Sequence, residues 1–362
     1  MSLAVAVVPA LGCQVVADIR EREFQALSDG GSGDDATDFE DATHEGEDAE
    51  TADGGPSKVD AAPGEDGNSV LDADARIDVG AGGDARIGDA ADGGIPRVST
   101  KSFLDVGAMD NRTCGVRNSD RAIECWGEAL VGNLPAGMFS KVAVGGSHAC
   151  GLTTGGVITC WGDNANGQTS VPAGTYKAVT LGRAHSCGHR TDQTIVCWGD
   201  NGFMQSSPLV PSSYGQLTAG GDRTCALGFD NVASCWGQGA GLQARPAAQF
   251  LSIATGALKS CGVRKDRMAI SCWGPDGSAL SFERSGAFNQ STVVSVGLSQ
   301  VCAIDMNSSL GCWNGDTAAP TEVPTDKFTV VSVGTGHVCA LRPSDSKVVC
   351  WGNNELGQAT PP

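Results

Sequence analysis

Phe139–Gln168 reads FSKVAVGGSHACGLTTGGVITCWGDNANGQ. Two short runs of small apolar and β-branched residues flank a Thr-Gly-Gly turn, and a Gly/Asn loop follows the second run. Short apolar runs bounded by turn residues are the signature of an antiparallel hairpin. With the turn centred near Gly155, Cys150 and Cys160 face each other across the two strands. Facing residues of a non-hydrogen-bonded pair lie about 4.5 Å apart at Cα, which a disulfide can span.

The same arrangement recurs along the chain. Beyond residue 98 the cysteines fall into seven pairs: Cys114 with Cys125, Cys150 with Cys160, Cys187 with Cys197, Cys225 with Cys235, Cys261 with Cys272, Cys302 with Cys312, and Cys339 with Cys350. The second cysteine is always followed by tryptophan, and these seven are all the tryptophans in the chain. Cys125 to Cys350 covers 225 residues in six intervals, a mean period of 37.5. An aromatic opens six of the seven units (Phe103, Phe139, Tyr176, Tyr214, Phe250 and Phe328), with Ser291 in the remaining slot. A glycine stands five residues before the first cysteine in every unit but the first, which has Met109. No stretch carries a helical apolar stripe. The chain is therefore expected to be all-β, a seven-bladed β-propeller of four-stranded repeats about 37 residues long. A solenoid would need polar capping units, and neither end unit reads as one.

Each hairpin bridge closes a short loop, worth roughly 2–3 kcal/mol of stability. The alternatives are zinc, which normally uses more closely spaced cysteine knuckles, and reduced cysteines acting as small apolar core residues. Fifteen cysteines in an acidic chain argue against a reducing cytosol unless they hold metal.

The formal charge of −18 is unevenly spread. Residues 28–97 hold 20 acidic and 4 basic side chains, whereas residues 98–362 hold 19 and 18. The acidic segment is built of Gly, Ala, Asp and Glu with almost no large apolar residue. Such a composition cannot bury enough surface to offset its chain entropy, so 14–97 reads as a disordered, self-repelling spacer. Net acidity also argues against a nucleic-acid partner. The domain order is then a signal at 1–13, the spacer at 14–97 and the propeller at 98–362.

Two resemblances extend this reading. Leu3–Leu11 is an apolar run too short to span a bilayer, and Gly12-Cys13 follows it. This resembles the lipobox of bacterial lipoproteins, although Ala10 stands where that family prefers Leu and no basic residue precedes the run. The resemblance implies that Cys13 becomes a lipidated N-terminus and that the protein sits in a bacterial cell envelope, or is secreted. The unit V-x-x-G-x-x-H-x-C-x-L…G-x-V-x-C-W-G-x-N-x-x-G-Q, clearest at Val142–Gln168 and Val331–Gln358, resembles the repeat of the regulator of chromosome condensation family. That family implies a seven-bladed propeller with a protein-binding disc. Its members include a nucleotide-exchange factor, chromatin binders and enzyme inhibitors, so the resemblance does not fix one function.

Chemistry-bearing constellations are sparse. No nucleophile elbow, phosphate loop or His-Glu-x-x-His is present. His148, His185 and His337 share the slot two residues before the first cysteine, where the other units carry Arg112, Arg223, Lys259 and Gln300. A slot recurring in every unit reads as a buttress between blades. Binding determinants are expected where units deviate. Phe203 and Met204 replace polar loop residues in unit three, and the longest connection, after Trp273, carries Phe282, Arg284 and Phe288. Aromatics beside Arg have the composition of protein-interface anchors. The expectation is a non-catalytic, monomeric module with no cofactor or metal, which binds a protein or glycan and meets the membrane only through its lipid. The competing readings are an enzyme working in the propeller funnel and an inhibitor of a secreted enzyme.

Overall fold

The computed structural model describes residues 94–208, 214–239, 248–275, 279–289, 292–315 and 320–362. The signal at 1–13 with Cys13, and nearly all of the acidic spacer at 14–97, lie outside the described residues. Every described regular element is a strand. In unit two, Phe139–Val144, His148–Thr153 and Ile158–Gly162 form one antiparallel sheet, the inner, middle and third strands of a blade. The other six units repeat this order.

Among the described residues blades two, three and four show three strands, whereas blades five and six add a fourth, Ala279–Ser285 and Pro320–Thr321. Among the described residues the four-stranded blade read from the repeat length is thus seen only late in the ring. In unit two the residues after Trp161 are spent on the Asp163–Gln168 turn and on Pro172, which cannot donate to a ladder. Unit five has a longer connection, long enough to return as a strand.

One 13-residue strand, Arg97–Met109, serves two blades. Its first half pairs with blade seven (Arg97 with Cys350, Val98 with Val349, Ser102 with Lys347), and its second half is the inner strand of blade one. The result is one six-stranded sheet that joins the last blade to the first. Val348 N and Phe103 N add bonds at this seam, to Ser99 Oγ at 3.0 Å and Ser346 O at 2.6 Å.

In every hairpin the two cysteines are direct cross-strand partners. Disulfides join Cys114 to Cys125, Cys150 to Cys160, Cys187 to Cys197 and Cys225 to Cys235 in blades one to four. Cys261 to Cys272, Cys302 to Cys312 and Cys339 to Cys350 follow in blades five to seven. Their Cα atoms lie 4.0–4.1 Å apart, as suits a non-hydrogen-bonded pair. Zinc and free-thiol readings of these residues therefore fall away. Bridges in this number belong to an oxidising environment.

The cores lie between blades. Cys114, Val116 and Ile123 of blade one pack with Phe139, Val142 and Trp161 of blade two. The aromatic that opens a unit also meets the tryptophan of its own third strand, as in Phe103–Trp126 at 5.8 Å and Phe250–Trp273 at 4.6 Å between ring centroids. The recurring glycine marks where adjacent blades touch backbone to backbone. A Cβ on Gly145 would stand 2.7 Å from Gly182 O, one on Gly256 2.6 Å from Gly297 O, and one on Gly334 2.7 Å from Asp110 O.

Two outcomes follow for the full chain. Alkylation without reductant, read by intact mass, should leave all fourteen propeller cysteines unmodified, and full modification would contradict the paired register. Gly145→Ala should destabilise by about 2 kcal/mol or more in denaturant melts, because the seam must open to admit the methyl. A neutral result would mean that the blades do not approach so closely.

Candidate functional site

The inner strands of all seven blades line a central cavity of about 240 Å³. Its wall is mostly small aliphatic and hydroxyl residues, such as Gly107, Ala143, Thr180, Thr218, Ser295 and Ser332. These side chains serve the strand edges beside them. Thr180 Oγ1 accepts Ala219 N at 2.9 Å, Thr218 Oγ1 accepts Thr255 N at 3.1 Å, Ser295 Oγ accepts Val333 N at 3.1 Å, and Ser332 Oγ accepts Ala108 N at 2.7 Å. Each bond crosses to the next blade. Two residues earlier along the edge, Asp105 Oδ2 accepts Val142 N at 3.0 Å, as Gln216 Oε1 accepts Ile253 N at 2.9 Å. Burial pushes the Asp105 carboxyl above its usual range, opposed by Lys141 Nζ at 3.5 Å. The carboxylate that lines the cavity is thus already engaged on both sides.

One rim of the ring gathers two loop sets. Because the middle and third strands are antiparallel, the turn leaving the inner strand and the loop leaving the third strand emerge at the same end; Asp163 N donates to Ser147 O at 2.9 Å. Below this rim lie the three histidines, fully buried. His148 Nε2 meets Ser186 Oγ of blade three at 2.8 Å, His185 Nε2 meets Thr224 Oγ1 of blade four at 2.8 Å, and His337 Nε2 meets Thr113 Oγ1 of blade one at 2.7 Å. They do not converge on one point; each latches its blade to the next.

The partner hydroxyls fix the proton. Ser186, Thr224 and Thr113 donate to the carbonyls of Gln168, Gln205 and Gln358 at 2.9, 3.1 and 3.2 Å. A hydroxyl has one hydrogen, so in each case Nε2 is the donor and the ring is the neutral Nε2–H tautomer. The three Nδ1 atoms are enclosed without a hydrogen-bond partner. Burial pulls the pKa of each histidine down to about 4. His189 is likewise pulled to about 4 by burial, with Lys177 adding to the effect. Among the described residues no group of three or more His, Cys, Asp or Glu is placed to hold a metal ion.

Residues 139–168 and 328–358 match the model of the regulator of chromosome condensation (RCC1) repeat. Units two and seven each match that repeat model. Solved structures with the same architecture include the ectodomain of the receptor kinase CR4 from Physcomitrella patens (TM-score 0.55, 23% identity, covering 72% of this chain and 74% of that one). The CRINKLY WD40 ectodomain of the Arabidopsis thaliana receptor kinase ACR4 matches at TM-score 0.55 and 23% identity, covering 74% and 98%. Prp20p from Saccharomyces cerevisiae, whose binding to Gsp1p and histones is described, matches at TM-score 0.51 and 15% identity, covering 68% and 81%. At these identities the likeness is one of fold. No curated protein matches the sequence.

The loop after the third strand explains the buried glutamines, which the sequence reading passed over although Gly-Gln recurs at the loop end. Gln168 Nε2 donates to Asp163 Oδ2 at 2.9 Å and its Oε1 accepts Asn166 N at 2.9 Å; Gln205 and Gln358 repeat both bonds. The main-chain carbonyls of Gln168 and Gln205 also receive the next blade's indole, Trp198 Nε1 at 2.8 Å and Trp236 Nε1 at 2.9 Å, whereas Trp126 Nε1, next after Gln358, is enclosed without a partner. Units one, four and six lack this loop sequence, and the indoles that follow them in the ring, Trp161, Trp273 and Trp351, are enclosed without a partner.

The anchor candidates separate into two groups. Phe203 and Met204 are 47% and 54% exposed on the rim loop of blade three. Met204 holds φ +65°, the left-handed conformation that Gly167 and Gly357 adopt in the sister loops at +80° and +78°. Phe282 and Phe288, expected to be exposed, are instead 1% and 7% exposed. Both present to Trp313 of blade six with centroids 6.4 Å away and near-perpendicular rings, taking the place that the glutamine loop fills elsewhere. Arg284, on the same outer strand, is half-buried, with its Nε enclosed. Phe282 and Phe288 support a seam and do not form a docking patch.

The histidine latches set a pH dependence. Their pKa is about 4 folded, against about 6.5 unfolded, so between these values the unfolded chain binds more protons. Stability is complete above pH 6.5 and falls as pH drops towards 4, by about 3 kcal/mol per histidine. Denaturant melts from pH 7 to 4 should show this slope, and His337→Gln should remove its own share. A flat profile would exclude neutral buried histidines.

Proposed function

We propose that this chain is a non-catalytic interaction module, tethered to an extracytoplasmic membrane face through Cys13 and its acidic spacer, which presents the stapled ring to a protein partner. The carrying observation is the Phe203–Met204 pair. Two large apolar side chains sit side by side on this loop, where unit two has Asn166-Gly167 and unit seven Leu356-Gly357, and one of them is held in a backbone conformation that glycine would adopt without strain. Stability alone favours glycine there by about 1 kcal/mol, so the pair points to a use other than folding. Exposed aromatic and methionine side chains are enriched at protein interfaces. The yeast RCC1 structures, of the same fold, concern binding of Gsp1p, histones and Kap60, which are all proteins. An enzyme reading has less to draw on, because the histidines are spent on latches and the cavity carboxylate on a strand edge.

The test replaces Phe203-Met204 with Asn-Gly, recreating the Asn-Gly-Gln end of the unit-two loop. The oxidised full chain should capture a partner from envelope extracts and the variant should not. The variant should also melt at the same or a higher temperature, Met204→Gly contributing about 0.5–1 kcal/mol of stabilisation. Undiminished capture by the variant would remove this loop as the docking element.

A further inference from the structure

The slot two residues before the first cysteine is a latch in the histidine blades. In blade one, Arg112 fills it with partners to hand: its guanidinium reaches Gly146 O of the next blade and pairs with Glu128 at 2.7 Å. Blade four places Arg223 in this slot, opposite Gly237 and only 2% exposed. Its Nη2 is enclosed and has no hydrogen-bond partner. Among the described residues no carboxylate pairs with it. Asp222, its neighbour in sequence, is committed to Arg183 of blade three at 3.0 Å. Burial pulls the pKa of Arg223 down to about 10. Blade five has Lys259 in the same slot, 3% exposed, its Nζ 2.6 Å from where a Cβ on Gly315 of blade six would stand. Two successive blades therefore send cations inward below the same rim.

A buried guanidinium without a counter-charge is strongly unfavourable, and its usual resolution is a carboxylate or phosphate gripped by two parallel N–H bonds. Arginine's planar fork is shaped for two oxygens of one anion. We infer that Arg223 is the protein half of an oxyanion site, a carboxylate or phosphoryl group entering from the rim at the seam between blades four and five. The flanking rim segments, Gly221–Asp222 and Ala257–Leu258, are small apart from Asp222, held by Arg183, and Leu258, which is 61% exposed. The site lies on a different seam from Phe203–Met204 and stands whether or not that loop binds a partner.

The experiment uses the oxidised full chain, with thermal melts and titration calorimetry in sodium phosphate against sodium chloride of equal ionic strength, and a second arm with hexaglutamate peptide. A saturable response is expected, with Tm rising by about 5 °C at a hundredfold excess over Kd. Phosphate as the tighter ligand identifies a phosphoryl group, and hexaglutamate as the tighter identifies an acidic side chain. Arg223→Gln should weaken binding at least tenfold, and in chloride it should melt at or above wild type, since it removes an uncompensated buried charge. Arg223→Lys keeps the charge without the fork and should bind, more weakly than wild type. The inference is overturned if wild type and Arg223→Gln respond equally to both anions, or if neither anion has an effect. It is also overturned if Arg223→Gln lowers Tm in chloride, because the counter-charge then belongs to the chain itself.

Discussion

Each inner strand of the ring pairs with its own sheet on one side only, and the backbone N–H groups on its other edge need acceptors. How those groups are satisfied governs the rest of the molecule. The preceding blade supplies them, through Thr180, Thr218, Ser295, Ser332 and Asp105. This demand explains why the cavity wall is rich in small hydroxyl residues and why its one lining carboxylate has no spare capacity. It also explains why neighbouring blades come close enough to require glycine at the seam. The histidine latches and the glutamine loops are a second tier of the same arrangement, placed nearer the rim.

Much of this was legible in the sequence because it was local and periodic. The cysteine pairs sit ten or eleven residues apart, so turn geometry alone fixes their register. The latch slot was visible as a column of polar residues. Its partner was also present, since Ser186, Thr224 and Thr113 each stand one residue before the first cysteine of the unit that follows a histidine unit. That coupling emerges only when one unit's column is compared with the next unit's, because blades meet out of register.

What the sequence did not disclose depended on long-range packing. Phe282 and Phe288 lie in the longest connection, which suggested exposure. Nothing local could tell that Trp313 had lost the loop that would otherwise cover it. Phe203 and Met204, equally apolar and equally deviant, stay outside because Gln205 already closes their loop from within. The vacancy next door decides whether a deviant aromatic is buried, more than the residue's own character does. The lone guanidinium of Arg223 was hidden for a related reason: its column contains Arg112 as well, and only the carboxylate at Glu128 distinguishes the two.

The shared strand Arg97–Met109 gives the ring a mechanical weak point. Each of the seven bridges stays within one hairpin, so none crosses the join between blade seven and blade one. Tension applied through the chain ahead of residue 97 is delivered first to Arg97–Ser102, where the ladder to Lys347–Gly352 resists it by hydrogen bonding and packing. A pull from that side meets this unbridged ladder before it reaches a stapled hairpin.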